Sequence, residues 1–240
     1  MTEDSAQDAH TTVVNLLKKT FGILVSGTGT HRIAFEPQSE REHRAMHGNR
    51  WKDRTLRELV DLRRTIATKL LEDEGEVPGF VAFHFDGDRP WNKRAEAENP
   101  ALFDERIITP VKQLLTGKLT LAGREEELGR RMKRLLVIVP YYSIEAWLFQ
   151  NIDALRQLCC GSAAHGELLA EWQTNRATLD ETWKPKDTMF CVGSTHNATL
   201  SKGFPADEAF GAKASYAAVV EDLLQAGDLL AALERTLEFK

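Results

Sequence analysis

The residues with the clearest chemical potential are Asp86 and Asp88, separated by Gly87 in the stretch GFVAFHFDGDRPW, residues 79–91. Two carboxylates two residues apart, with a glycine between them to let the chain turn, can share one Mg²⁺ or Mn²⁺ or hold a pair of them. A second group stands at Ser143 and Glu145 in PYYSIEAW. There the glutamate suits a further metal ligand, and the serine could orient a ligand water or a carboxylate. Lys202, between Ser201 and Gly203, could project a cation into such an acidic site. The small-residue run Ser26, Gly27, Thr28, Gly29, Thr30 could offer backbone N–H groups to a phosphate. It is neither a P-loop, because no Gly-Lys-Ser/Thr follows, nor GxGxxG. Each feature also has a plainer explanation. Asp-Gly-Asp is commonly a polar turn, Ser143 with Glu145 is adequate as a helix cap and first-turn acid, and a lone loop lysine is usually solvated.

Convergence favours chemistry over these explanations, and it depends on the elements that carry the residues. Phe80–Phe85 reads as a buried strand, punctuated by Pro78-Gly79 before it and by Gly87 and Pro90 after it. Leu135–Val139, LLVIV, reads as another, ending just before Ser143. A first strand is expected at Phe21–Val25, FGILV, after a lead-in from Thr12 to Lys19. Apolar residues recur at helical spacing between about Asp53 and Glu74 (Leu56, Leu59, Val60, Ile66, Ala67, Leu70, Leu71), so a long amphipathic helix should join the first strand to the Phe80–Phe85 strand in a βαβ unit. Ends of adjacent parallel strands lie about 5 Å apart, so Asp86, Asp88 and Glu145 could meet at one edge. A helix is also expected around Pro100–Leu115, and a helical tail at Tyr216–Leu237. Residues 36–50 read as an exposed charged loop in which His43 and His47 could share a helical face, with no third metal ligand nearby. Trp172 and Trp183 are expected to pack.

The 240 residues carry a net charge of −5, with 42% hydrophobic and 28% charged residues. That is ordinary for a soluble domain and argues against indiscriminate coating of nucleic acid. No apolar run approaches the roughly 18 residues of a membrane span, and the polar start does not resemble a signal peptide, so a cytoplasmic location is expected. The expected organisation is a disordered segment over 1–12, then a single α/β domain over 13–240 with a helical C-terminal extension from about 205. Three cysteines, Cys159, Cys160 and Cys191, suit neither a disulfide framework nor a zinc site and are expected to be reduced. The basic cluster Arg130, Arg131, Lys133 and Arg134 is either a solvated helix end or a phosphate-contacting patch.

The order Asp86-Gly87-Asp88, then Pro140 and Ser143-Ile144-Glu145, then Lys202, resembles a Toprim domain. It is similar to the Toprim nucleases of the overcoming-lysogenization-defect type and to short stand-alone Toprim-like proteins of bacterial defence loci. The resemblance spans roughly residues 21–204. It implies a Rossmannoid, mostly parallel sheet flanked by helices, and a Mg²⁺- or Mn²⁺-dependent nuclease acting on DNA or RNA in anti-phage defence. It also implies metal ligation by Asp86, Asp88 and Glu145, with Ser143 and Lys202 assisting. One element departs from the pattern: Ser26 stands where the family has its first glutamate, and Thr30 where a second acid follows. Glu36 or Glu40 could reach back as a substitute. The alternative is a catalytically degenerate subunit that binds nucleic acid or a partner ATPase, and a homo-oligomer is compatible with either. Haloacid dehalogenase phosphatases also place Asp-x-Asp after a strand, but with a threonine where Pro90 stands here.

Overall fold

In the computed structural model, residues 1–2, 8–25, 30–31, 33–36, 39–53, 57–74, 77–159, 165–189 and 191–238 are described. The short strands among them are β1 (Thr30–His31), β2 (Asp73–Glu74), β3 (Val77–Pro78), β4 (Val81–His84), β5 (Leu135–Ile138) and β6 (Leu237–Glu238). They pair two by two: β1 with β6 and β2 with β3 antiparallel, β4 with β5 parallel. The parallel pair is the centre of the molecule, with Val81 opposite Leu135 and His84 opposite Ile138. Both strands were legible as apolar runs, but the sheet they form is two strands wide rather than the broad parallel sheet expected. The chain is therefore a mixed α/β protein dominated by helices.

The reason lies in the first expected strand. Residues 21–24 are the end of a helix, α1 (Ala9–Leu24), not a strand. Val13, Leu16, Leu17, Thr20 and Phe21 recur at spacings of three and four and are all buried. This places Phe21 in the same apolar stripe as the residues before it. Thr20 is accommodated because its hydroxyl donates to the Leu16 carbonyl at 2.8 Å and lies 2.9 Å from the Tyr216 hydroxyl.

The next helices are α2 (Glu40–Met46), α3 (Arg57–Leu71), α4 (Glu98–Phe103), α5 (Thr109–Ala122) and α6 (Leu128–Met132). In place of the exposed loop expected over residues 36–50, α2 and a following 3-10 turn over His47–Lys52 bury Ala45, Met46 and Trp51 completely. Between α4 and α5 the chain makes a π-turn over Asp104–Ile108. Pro110 has no N–H to return to the Arg106 carbonyl, and Arg63 Nε donates to that carbonyl instead, at 2.5 Å.

After β5 come α7 (Glu145–Leu148), α8 (Ile152–Leu158), α9 (Gly166–Thr174), α10 (Ala177–Glu181), α11 (Asn197–Lys202), α12 (Ala206–Gly211), α13 (Ser215–Leu224) and α14 (Gly227–Thr236). The two strands separate two apolar clusters. Val81, Phe83, Phe85 and Leu135 face one, built with α3 and α5, whereas Leu136 and Ile138 face the other, built with α1, α7 and α13. This alternation follows from the two-residue period of a strand and gives helix, sheet and helix layers.

The basic cluster before β5 divides. Arg131 is fully buried, donates to the Leu70 and Leu71 carbonyls, and pairs with Glu127 at 2.9 Å. Arg134 is buried too and pairs with Asp228 at 2.9 Å. Neither of the two readings offered by the sequence covers these two arginines, which tie α3 and α14 to the amino end of β5. Glu127, accepting from Arg124, Arg130 and Arg131, has its carboxyl lowered to about 2, chiefly by the Arg124 hydrogen bond.

Cys159 and Cys191 form a disulfide across 32 residues, with Cα atoms 5.4 Å apart, in place of the reduced thiols expected. Their separation in sequence hid the pairing, and the adjacent Cys160 lies outside the described residues. Such bridges persist in oxidising surroundings and are rare in the cytosol. Reduction, or Cys159→Ser, is expected to cost about 4 kcal/mol by releasing this closed loop in the unfolded chain. Thermal melting with and without a thiol reductant checks it.

Candidate functional site

The parallel ladder does not stop where β4 and β5 end. Phe85 N donates to the Ile138 carbonyl at 3.2 Å and Gly87 N to the Pro140 carbonyl at 3.0 Å. The Asp86-Gly87-Asp88 turn and the Pro140–Glu145 loop therefore leave the sheet side by side, at its carboxyl edge. Open α/β sheets form their ligand sites at such edges. Gly87 is required by a close approach, because a Cβ there would lie 3.0 Å from Tyr141 Cδ1. Tyr141 has little room to retreat, since its ring packs edge-on against Trp91 at 5.0 Å. Gly87→Ala is expected to cost about 1–2 kcal/mol by overpacking and to spread the two loops; urea melts check the stability.

Backbone strain concentrates at this edge. Among the described residues, the non-glycine positions with positive φ are Asp88 at 59°, Tyr142 at 70°, Lys184 at 49° and Lys213 at 52°. Asp88 and Tyr142 lie in the two apposed loops. Lys184 follows Trp183, whose ring packs against Tyr142 at 5.0 Å. Each such residue costs on the order of 1 kcal/mol or more and persists only where its surroundings hold it.

The carboxylates have different surroundings. Asp88 is exposed; its Oδ2 accepts from the Asn99 amide and lies 3.4 Å from Lys52 Nζ. Asn99, only 5% exposed, also donates to the Asp86 carbonyl at 2.6 Å, so one amide braces both aspartates. Asp86 is partly buried, with Oδ1 3.7 Å from His84 Nε2. Burial, with the Met1 ammonium as a second cause, lowers the His84 imidazole to about 3, so it is neutral at working pH. The other face of that ring, Nδ1, is 3.0 Å from the Thr2 hydroxyl, and the Met1 ammonium donates to the Ala82 carbonyl at 2.6 Å. Glu145 is buried at the start of α7 and accepts from Asn197 Nδ2 at 3.2 Å. Ser143 Oγ and Asn197 Oδ1 are buried without a hydrogen-bond partner among the described residues. Such orphaned oxygens call for an explanation, and a water or a bound ligand would supply it.

No protein-family model, curated protein or solved structure matches this chain.

A buried chain of hydrogen bonds holds the helix that bears Glu145. Trp147 Nε1 donates to Ser215 Oγ at 2.6 Å, and that hydroxyl donates to Asp180 Oδ1 at 2.5 Å. The Ser215 N–H completes it at Asp180 Oδ2, 3.1 Å away. Trp147 also packs edge-on against Tyr216 at 5.2 Å. Asp180 belongs to α10, whose next residue, Glu181, accepts from the Asn92 N–H at 3.0 Å. One short helix thus links the support of Glu145 to the turn that follows the aspartates.

Of the residues singled out in sequence, Asp86, Asp88, Ser143 and Glu145 lie at the carboxyl edge. Among the described residues no three histidine, cysteine, aspartate or glutamate side chains gather closely enough to hold a metal ion. Glu145 is thus not drawn into one cluster with the two aspartates. Lys202 is the exposed last residue of α11, at the opposite end of that helix from Asn197, rather than in a loop. Ser26, Gly27, Thr28 and Gly29 lie outside the described residues, and Thr30 pairs in β1 with Glu238. Glu36 does not reach back to the site. It pairs with Lys69 at 3.1 Å, and the Lys69 carbonyl abuts Gly79, at the amino end of β4. The Glu40 side chain, like those of His43 and His47, lies outside the described residues.

Lys52, Asn99 and Tyr142 escaped the sequence reading. The one available signal was the pair Tyr141-Tyr142 directly after a predicted strand. Trp172 packs as expected, stacked on Phe149 at 6.0 Å, but Trp183 is 53% exposed.

Proposed function

We propose that the carboxyl edge of the β4–β5 pair is the active site of a metal-dependent nuclease with a reduced, Toprim-like arrangement. The observation that carries this reading is the interlock of Gly87 with Pro140, which brings an Asp-x-Asp turn and a Ser-x-Glu loop to one edge. The donor set fits Mg²⁺ or Mn²⁺: hard carboxylate oxygens on a solvent-open turn. Mg²⁺ commonly takes only one or two carboxylates and keeps several waters. Asp86 and Asp88 would hold the ion. When bound, it supplies an acidified water and neutralises charge developing on the scissile phosphate.

The chain's own residues do the positioning. Asn99 fixes the Asp86-Gly87-Asp88 turn. The Lys52 ammonium, beside Asp88, is available to a phosphate oxygen. Ser143 and Asn197 offer oxygens to ordered water next to Glu145. Lys202 and the residue 26–30 run would serve as further phosphate contacts only if the substrate extends beyond the edge. On this reading the protein acts on DNA or RNA in antiviral defence, alone, as a homo-oligomer or beside a partner ATPase. Action in the cytoplasm would expose the Cys159–Cys191 bridge to reducing thiols.

The test is incubation of the purified protein with plasmid DNA, single-stranded DNA and structured RNA, with Mg²⁺, Mn²⁺ or chelator. Cleavage that requires metal supports the reading; none on any substrate by folded protein refutes it.

A second reading, a non-catalytic subunit that binds nucleic acid or a partner ATPase, is favoured by one observation. Lys52 and Asn99 already occupy Asp88, and the lysine stands where a cation would bind. Retained nucleic-acid binding with no cleavage in either metal would establish it.

A further inference from the structure

Among the described residues Trp183 is the exposed aromatic side chain, at 53%, while Trp51, Trp147 and Trp172 are buried. It is not a loose surface residue. Its ring rests on Tyr142 at 5.0 Å with the planes 51° apart, and both Tyr142 and Lys184, on either side of the contact, hold left-handed backbone. Pro185, buried directly afterwards, fixes the turn. We propose that Trp183, braced by Tyr142 at the rim of the carboxylate edge, is a base-stacking platform that makes single-stranded nucleic acid the ligand of this site.

Three features point to that ligand class. Tyr142, against which Trp183 packs, directly follows Tyr141, whose ring lies 3.0 Å from where a Gly87 Cβ would stand, so the platform adjoins the Asp86-Gly87-Asp88 turn; burial first, then Asp187, Asp88 and Asp86, raise the Tyr142 hydroxyl above its ordinary value. Cations flank it: Lys184 and Lys186 are exposed beside Trp183, and Arg94 lies over the Trp91 ring at 4.2 Å on the neighbouring turn. An exposed aromatic face with cations beside it binds an unpaired base by stacking and its phosphates by charge, the carboxylates of Asp86, Asp88 and Asp187 lying on its Tyr142 side, whereas duplex bases are already stacked and offer no face. The location of the ligand relative to the chemistry rests on the nuclease reading.

The experiment separates the two. Binding of fluorescein-labelled oligo(dT), oligo(U) and a DNA duplex is measured by polarisation in chelator, where no cleavage can occur, for the wild type, Trp183→Ala and Trp183→Phe. Thermal melting confirms that the variants are folded. The wild type should prefer the single strands. Trp183→Ala should weaken oligo(dT) binding roughly 5- to 100-fold, as expected for loss of one stacked base, with duplex binding unchanged. Trp183→Phe should retain most of the affinity. Unchanged oligo(dT) binding in Trp183→Ala, a wild-type preference for duplex, or no binding to any probe would overturn the proposal. Strong Trp183-dependent binding without metal-dependent cleavage would refute the nuclease and leave the platform standing.

Discussion

Asp86→Asn and Asp88→Asn are each expected to lower Mg²⁺-dependent cleavage by about a hundred- to a thousand-fold, the scale on which removing one charge-stabilising group acts in an active site. Neither should unfold the protein. The Asp88 carboxylate is more than half exposed and its pair with Lys52 is solvent-screened, so losing that ion pair costs at most about 1 kcal/mol. Asp86 keeps its backbone bond from Asn99 whatever its side chain. Single-turnover cleavage beside a thermal melt checks both halves of the expectation. Activity near the wild-type level in either variant would remove that aspartate from the site.

The second large effect concerns pH. Asp180 is almost fully buried, and desolvation raises its carboxyl from 3.8 to about 7 despite two hydrogen bonds from Ser215. In the unfolded chain it ionises at the ordinary value. The neutral form is therefore favoured by folding, and its contribution is complete below about pH 4. It is lost as pH rises towards 7, at about 1.4 kcal/mol per pKa unit, or roughly 4 kcal/mol in all. Asp180→Asn should abolish this slope. It should also lower stability at acid pH, because the new amide N–H₂ would face the Ser215 N–H. Urea melts from pH 4 to 8 check it; a wild-type curve no steeper than that of Asp180→Asn would contradict the assignment. Because Ser215 links Asp180 to Trp147, loosening of the helix bearing Glu145 should accompany the loss.

The two central strands were legible because Phe80–Phe85 and Leu135–Val139 are apolar runs with sharp turn punctuation; their pairing set the Asp86-Gly87-Asp88 turn beside the loop that leads to Glu145, without gathering the three carboxylates into the one cluster expected. Residues 21–25 were not, because a short apolar run reads equally as strand or helix. The deciding information was the stripe Val13, Leu16, Leu17, Thr20 before it. With that strand gone, the sheet narrowed to two strands. The chain segments that brace the aspartates were harder still. Asn99 and Lys52 come from 11 and 36 residues away, and no local pattern marks a residue whose partner is distant. The exposure of Trp183 was equally hidden, since burial of a lone tryptophan is settled by what packs over it. The Cys159–Cys191 bridge needed the fold to bring its ends together.

The most direct measurement is Mn²⁺ binding by the intact protein, followed by electron paramagnetic resonance of free Mn²⁺ and by isothermal titration calorimetry. It is made on the wild type and on the Asp86→Asn, Asp88→Asn double variant, with melting curves for both. A metal-bearing carboxyl edge requires saturable Mn²⁺ binding in the wild type, competed by Mg²⁺ and lost in the folded double variant. Wild-type protein that is folded yet binds no Mn²⁺, or a double variant that binds it as well as the wild type, would contradict the assignment of this edge as a metal site.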